Sequence, residues 1–188
     1  MKENLLSFKI VSAVVLAGVI VSLAGAAHAA PSPTRALALP VADAKAPSGE
    51  SIFNGSLVGQ DGITATSFID QKWDAPTGTG TLNEADVTPS GQVASRDANL
   101  VRNADGTLTA HGTMTDFDGR TVNYTETLKP TPRGFVAHGT MVGLAGQTAT
   151  YESTVALIGR NEIRRTTVTT KPDGTISTRI ETITARRA

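Results

Sequence analysis

The sequence predicts an all-β fold: an antiparallel up-and-down meander of eight to ten strands that closes, or nearly closes, into a barrel. Three observations carry this. Turn signals recur along the chain at Gln60-Asp61-Gly62, Pro89-Ser90-Gly91, Asn103 to Gly106, Asp118-Gly119, Pro130 to Gly134, Ala145-Gly146, Gly159-Arg160 and Pro172-Asp173-Gly174. Glycine takes positive φ at little cost and aspartate caps a turn with its own side chain, so these are chain reversals. Between them lie alternating segments rich in Thr, Val and Ile, such as TVNYTETL, in a chain of 27 threonines. β-Branched residues lose little in an extended conformation and pack well on a pleated face. Finally, no segment sustains a 3.6-residue period or opens on a capping box, so no helix is expected beyond the N-terminal region.

In chain order, residues 1–29 have the form of a signal peptide: Lys2 and Lys9, an apolar run from Ile10 to Ala26, then Ala27-His28-Ala29 as cleavage site. This predicts export, periplasmic or extracellular, from a bacterial cell, with no membrane span after cleavage. The absence of cysteine excludes disulfides, thiolate metal sites and a lipidated cysteine. Residues 30–49, APSPTRALALPVADAKAPSG, offer little to bury and no period, and are expected to form a disordered Pro/Ala-rich leader. Residues 50–188 form the β-meander domain. Its first hairpins pass through a Pro/Gly/Thr connection after Trp73, which is expected to plug a barrel end. A three-residue turn at Pro89-Ser90-Gly91 places Glu84 opposite Arg96 as a cross-strand pair.

Charge is unevenly spread. Residues 50–128 hold four Lys/Arg against eleven Asp/Glu, whereas residues 160–188 hold seven against three. Complementarity within one fold is the simpler account than an anionic partner. If the barrel closes, the strand near Ile176 lies beside the one near Ile52, and the two halves meet there.

AHGTM occurs twice, at Ala110–Met114 and Ala137–Met141, and holds both histidines found beyond residue 29. The repeat extends further: GRTVNYTETL from Gly119 aligns with GQTATYESTV from Gly146 at the same 27-residue offset. Each unit is a hairpin that cannot bury its own face, so the units pair side by side. A two-residue Asp118-Gly119 turn pairs Phe117 with Arg120 and sets His111 opposite Glu126. A five-residue loop from Pro130 to Gly134 pairs Lys129 with Phe135 and sets His138 opposite the same Glu126. The two histidines then flank Glu126 at roughly 10 Å between their Cα atoms, on the face holding Val122, Tyr124, Leu128, Val136, Val142, Leu144, Tyr151 and Val155.

That face is expected to be the interior, and three roles fit the row. It is a satisfied polar layer; or a polar floor for a small-molecule cavity in the lumen, with Tyr124, Tyr151 and Arg96 lining it; or a site for a divalent metal on His111, Glu126 and His138. The functional expectation is an exported barrel that binds a small ligand in its lumen. A structural or protein-interaction module of the cell envelope is the alternative, and a metal-dependent enzyme is third. Asp116-Phe117-Asp118-Gly119 lacks the twelve-residue calcium-loop spacing and is a turn. No phosphate-binding glycine loop, GxSxG or HExxH is present. The basic tail lacks the aromatics that nucleic-acid binding would use, so no nucleic acid is expected. Eight aromatic residues are too few for the girdles of a membrane barrel.

Overall fold

Ten strands follow one another with short turns: β1 (Gly49–Gly59), β2 (Thr64–Asp74), β3 (Thr79–Val87), β4 (Val93–Arg102), β5 (Leu108–Thr115), β6 (Thr121–Thr131), β7 (Gly134–Gly143), β8 (Thr148–Gly159), β9 (Glu162–Thr170) and β10 (Ile176–Ala185). The computed structural model describes residues 48–185 except 144, 160 and 161. The signal peptide and nearly all of the leader lie outside the described residues, as does Leu144. Each strand pairs antiparallel with its sequence neighbours, and β1 pairs with β10, so the sheet is a closed up-and-down barrel. That is the predicted meander at the upper strand count. Closure leaves no strand of the sheet with a wholly unpaired edge, since β1 and β10 pair with each other.

Burial alternates along the strands, as in β2, where Ala65, Ser67, Ile69, Gln71 and Trp73 are buried between exposed neighbours. One end of the lumen is apolar, packed with Trp73, Leu82, Leu100, Leu108, Leu128 and Phe135. Trp73 is buried there as expected, with the Arg102 guanidinium 4.8 Å from its ring centroid. Towards the other end the lumen turns polar, with Glu84, Asp86, Arg96, Glu126, Arg165 and Glu181 all buried.

The seam is short. Among the described residues, Gly55–Gly59 pairs with Glu181–Ala185. The Gln60 amide extends it by donating to Ile180 O at 2.9 Å. As closure required, front and tail meet here: Arg179 Nη1 lies 3.8 Å from Asp61 Oδ2.

Two turns differ from expectation, and their consequence is large. At the β5–β6 reversal the Asp116 amide donates to Arg120 O at 2.9 Å, leaving three residues, Phe117, Asp118 and Gly119, in the turn. Gly119 takes φ 78, the left-handed conformation that completes a three-residue hairpin loop. At the β6–β7 reversal Thr131 pairs with Gly134, so the loop shrinks from five residues to Pro132-Arg133. Each change shifts register by one, and a one-residue slip carries every side chain of a strand to the other face.

Candidate functional site

The slip takes both histidines out of the lumen. His111 pairs with Thr125, and His138 with Thr127, while Glu126 stands opposite Ala110 and Gly139. Val142 goes outward with His138 and is exposed. The predicted His111–Glu126–His138 row is therefore corrected: the imidazoles face solvent and the carboxylate is 3 % exposed inside the barrel. With a sheet between them, the three side chains do not converge on a metal. Among the described residues no group of three or more His, Asp or Glu is placed to hold one.

The other four predicted site residues do meet inside. Arg96 on β4 forms an ion pair with Glu126 on β6 through Nη2 and Oε1. Arg96 Nε donates to the Tyr124 hydroxyl at 2.5 Å, and the guanidinium lies 4.5 Å from that ring's centroid. The Tyr151 hydroxyl on β8 donates to Glu126 Oε2 at 2.7 Å. Glu84 stands directly opposite Arg96, as the three-residue turn at Pro89-Ser90-Gly91 required. Burial pulls the Arg96 guanidinium down, but Glu126, the two tyrosines and Glu84 hold it above the ordinary arginine range. Burial pushes the Tyr124 phenol up to about 12 and moves Tyr151 up as well. The Arg96 guanidinium and both phenols therefore stay protonated at neutral pH.

The repeated motif acquires its meaning here. In each AHGTM copy the glycine, not the histidine, faces the network: Gly112 pairs with Tyr124, and Gly139 with Tyr151. A Cβ at Gly139 would overlap the Tyr151 ring, and one at Gly112 would overlap the backbone of Asp97. Two tyrosines thus stand against two bare backbones, and both hydroxyls reach the same Arg96–Glu126 pair.

Sequence reasoning missed a second polar cluster, on β9 and β10. Arg165 Nε donates to Glu181 Oε2 at 2.7 Å, and Arg179 Nε to Glu181 Oε1 at 2.8 Å. Ser153 and Thr167 hydroxyls are 3.0 Å apart beside it. Between the two clusters lies a cavity of about 20 Å³, lined by Arg96, Glu126, Tyr151, Ser153, Arg165 and Thr167 among others. That is space for about one water. Small-molecule pockets span about 300–1,000 Å³, so the lumen is a filled, charge-paired core.

A larger concavity lies outside. An open groove of about 700 Å³ runs over β6–β9, lined by Thr125, Thr140, Thr150, Thr170, His138 and Glu152, with Glu126, Gly139 and Tyr151 at its floor. The four threonines are successive cross-strand partners, a row of hydroxyls and methyls across four strands. His138 Nδ1 lies 3.3 Å from Glu152 Oε2, both on the outer face. This row was hidden from sequence reasoning because it exists only in the true register.

The fold and these sites define a closed ten-stranded meander barrel whose core holds buried ion pairs and whose larger concavity is external. Comparison with protein-family models, curated proteins and solved structures finds no match.

Proposed function

We propose that this protein is an exported, non-catalytic barrel that binds a small, neutral, hydroxyl-rich ligand in the outer groove over β6–β9. The observation that carries the reading is the contrast between a 700 Å³ groove outside and a 20 Å³ cavity inside. This moves the expected ligand site from the lumen to the outer wall, where His138 is the one predicted residue whose side chain faces the groove, while Glu126 and Tyr151 border it with side chains turned into the lumen. The lining matches a polyol such as a sugar. Threonine hydroxyls about 4.8 Å apart can each donate and accept, their methyls pack on C–H faces, and the His138–Glu152 pair adds one polar anchor. The outer face also carries Asp97, Lys129, His138, Glu152 and Arg164, exposed positions that oppose burial in lipid. Among the described residues no helix is long and apolar enough to cross a membrane. Export rests on residues 1–29 and is checked by the mass of the cellular protein, which should begin at Ala30.

Calorimetric titration with neutral tetrasaccharides, chitotetraose and maltotetraose, tests the site. Binding to the wild type that is lost in Thr150→Trp, with the fold intact by circular dichroism, supports it. Absence of binding at millimolar sugar, or binding unchanged by Thr150→Trp, overturns it.

A second reading, a protein-interaction module of the envelope, is favoured by exposed apolar residues on adjacent strands. Phe68 on β2 pairs with Ala85, and Val87 on β3 pairs with Val93, all four on one outer face. A photo-crosslinker at residue 68 that captures a defined envelope protein, while one at residue 150 does not, would place the working surface there instead.

A further inference from the structure

Asp86 is at odds with its surroundings. It lies inside β3 at 0 % exposure, with the Ser67 hydroxyl directly opposite on β2 as its neighbouring donor and no ion pair to a cation among the described residues. A buried charge normally finds a counter-ion or a set of donors. Charge counting around the polar layer shows why Asp86 does not. The guanidiniums of Arg96, Arg165 and Arg179 are matched by the carboxylates of Glu126, Glu181 and Glu84. Asp86 is the fourth carboxylate among three cations.

The groups facing it come from every neighbouring element. Its own strand presents Glu84, β2 presents Ser67, and β4 presents Arg96 beyond its direct partner Ala94. Across the lumen stand Arg165 on β9 and Arg179 and Glu181 on β10, all felt electrostatically by Asp86. Those three residues also hold the barrel closed. Glu181 is the first paired residue of β10 at the seam, opposite Gly59. Arg179 ties it to Asp61 in the β1–β2 turn, and Arg165 ties it to β9.

We propose that Asp86 is a pH-sensitive brace of barrel closure: protonated, it leaves Arg165 and Arg179 to Glu181; ionised, it competes for them and loosens the β1–β10 seam. No covalent step is involved, only a proton exchanged with solvent. Burial pushes the Asp86 carboxyl up to about 6, against the pull of Ser67, Arg165 and Arg179. The folded state therefore keeps a proton that the unfolded chain releases near its ordinary value of 3.8. The sign follows: this contribution is full below about pH 4, declines as pH rises through 6, and is gone above it. The folding equilibrium falls on the order of 100-fold across that window.

The test is carboxyl-carbon NMR titration of Asp86 in the wild-type protein, with amide exchange of Gly55–Gly59 and Glu181–Ala185 measured between pH 5 and 7.5. Thermal melting of wild type and Asp86→Asn is followed over the same range. The expected result is an Asp86 midpoint near 6, seam exchange that rises across it beyond the intrinsic rate, and a stability difference between the two proteins that grows with pH. A midpoint in the ordinary carboxylate range overturns the proposal. So does a midpoint near 6 with seam protection unchanged. Should Asp86→Asn not fold, the wild-type titration and exchange decide alone.

Discussion

Tyr151 occupies the space that a side chain at Gly139 would fill, and from there its hydroxyl donates to Glu126 Oε2 at 2.7 Å. A glycine in a strand interior weakens the strand unless something needs the room. Here an aromatic ring does, and its cross-strand position covers the bare backbone.

Gly139→Ala should therefore be costly although alanine suits strands no worse than glycine. The new methyl displaces the Tyr151 ring and pulls its hydroxyl from Glu126. Overpacking of this kind costs about 1–3 kcal/mol, with the loss of a charged hydrogen bond added. Denaturant unfolding measures it. A variant as stable as the wild type would show that the ring relocates freely, and that the repeated glycine has no structural task.

The Arg96–Glu126 pair offers a sharper contrast. Both partners are 3 % exposed, so removing one leaves a buried charge uncompensated. Glu126→Gln should destabilise by about 3–5 kcal/mol. The double change Arg96→Met/Glu126→Leu removes both charges and should recover most of that loss. A double-mutant cycle on unfolding free energies checks this; additive losses would mean the two groups do not interact in the folded state.

The histidines should be nearly silent. His111→Ala/His138→Ala removes two outward side chains and one exposed polar contact with Glu152. Exposed pairs contribute about 0–1 kcal/mol. Melting with added zinc, with chelator, and in the double variant should agree to within that small margin. Near-stoichiometric metal lost in the variant would reinstate the metal reading that the register removes.

How far the sequence led can be judged from particular turns. Strand number, meander order and closure followed from turn spacing and alternation, which are local signals. Tyr124, Glu126 and Tyr151 were legible because β6 and β8 alternate strongly and their faces do not depend on a neighbour, and Arg96 because β4 alternates in the same way. His111 and His138 were misplaced because their faces were inferred through a turn, and a turn misread by an odd number of residues, one too few at β5–β6 and three too many at β6–β7, inverts the next strand. A corrective signal was present. At Pro89-Ser90-Gly91 the glycine stands third in the loop, and the same arrangement recurs at Gln60-Asp61-Gly62, Ala104-Asp105-Gly106 and Pro172-Asp173-Gly174. Phe117-Asp118-Gly119 fits that series, and reading it so places His111 outside. The Arg165–Glu181 pair was within reach, since a three-residue turn at Pro172-Asp173-Gly174 sets the two opposite on consecutive strands. Asp86 was not legible beside them, because it lies on β3, far from β9 and β10 in sequence.

The β5–β6 turn itself supplies the last expectation. Asp116 Oδ1 accepts the Asp118 amide at 2.9 Å and the Arg120 amide at 2.8 Å, so one buried carboxylate organises the whole loop. Asp116→Ala leaves two amide donors to find other partners. By analogy with helix caps, where such a side chain contributes about 0.5–2 kcal/mol, the barrel should lose on the order of 1 kcal/mol. Register should nevertheless survive, because Leu108, Ala110 and Met114 are pinned inward by pairing with both β4 and β6. The Asn variant, which keeps an acceptor oxygen, should recover most of the loss. Amide exchange resolves the two effects: protection should fall at Asp118 and Arg120 and stay intact at Ala110 and Met114. Loss of protection along all of β5 would mean that this turn, and not the packed inner face, sets the register that turns the histidines outward.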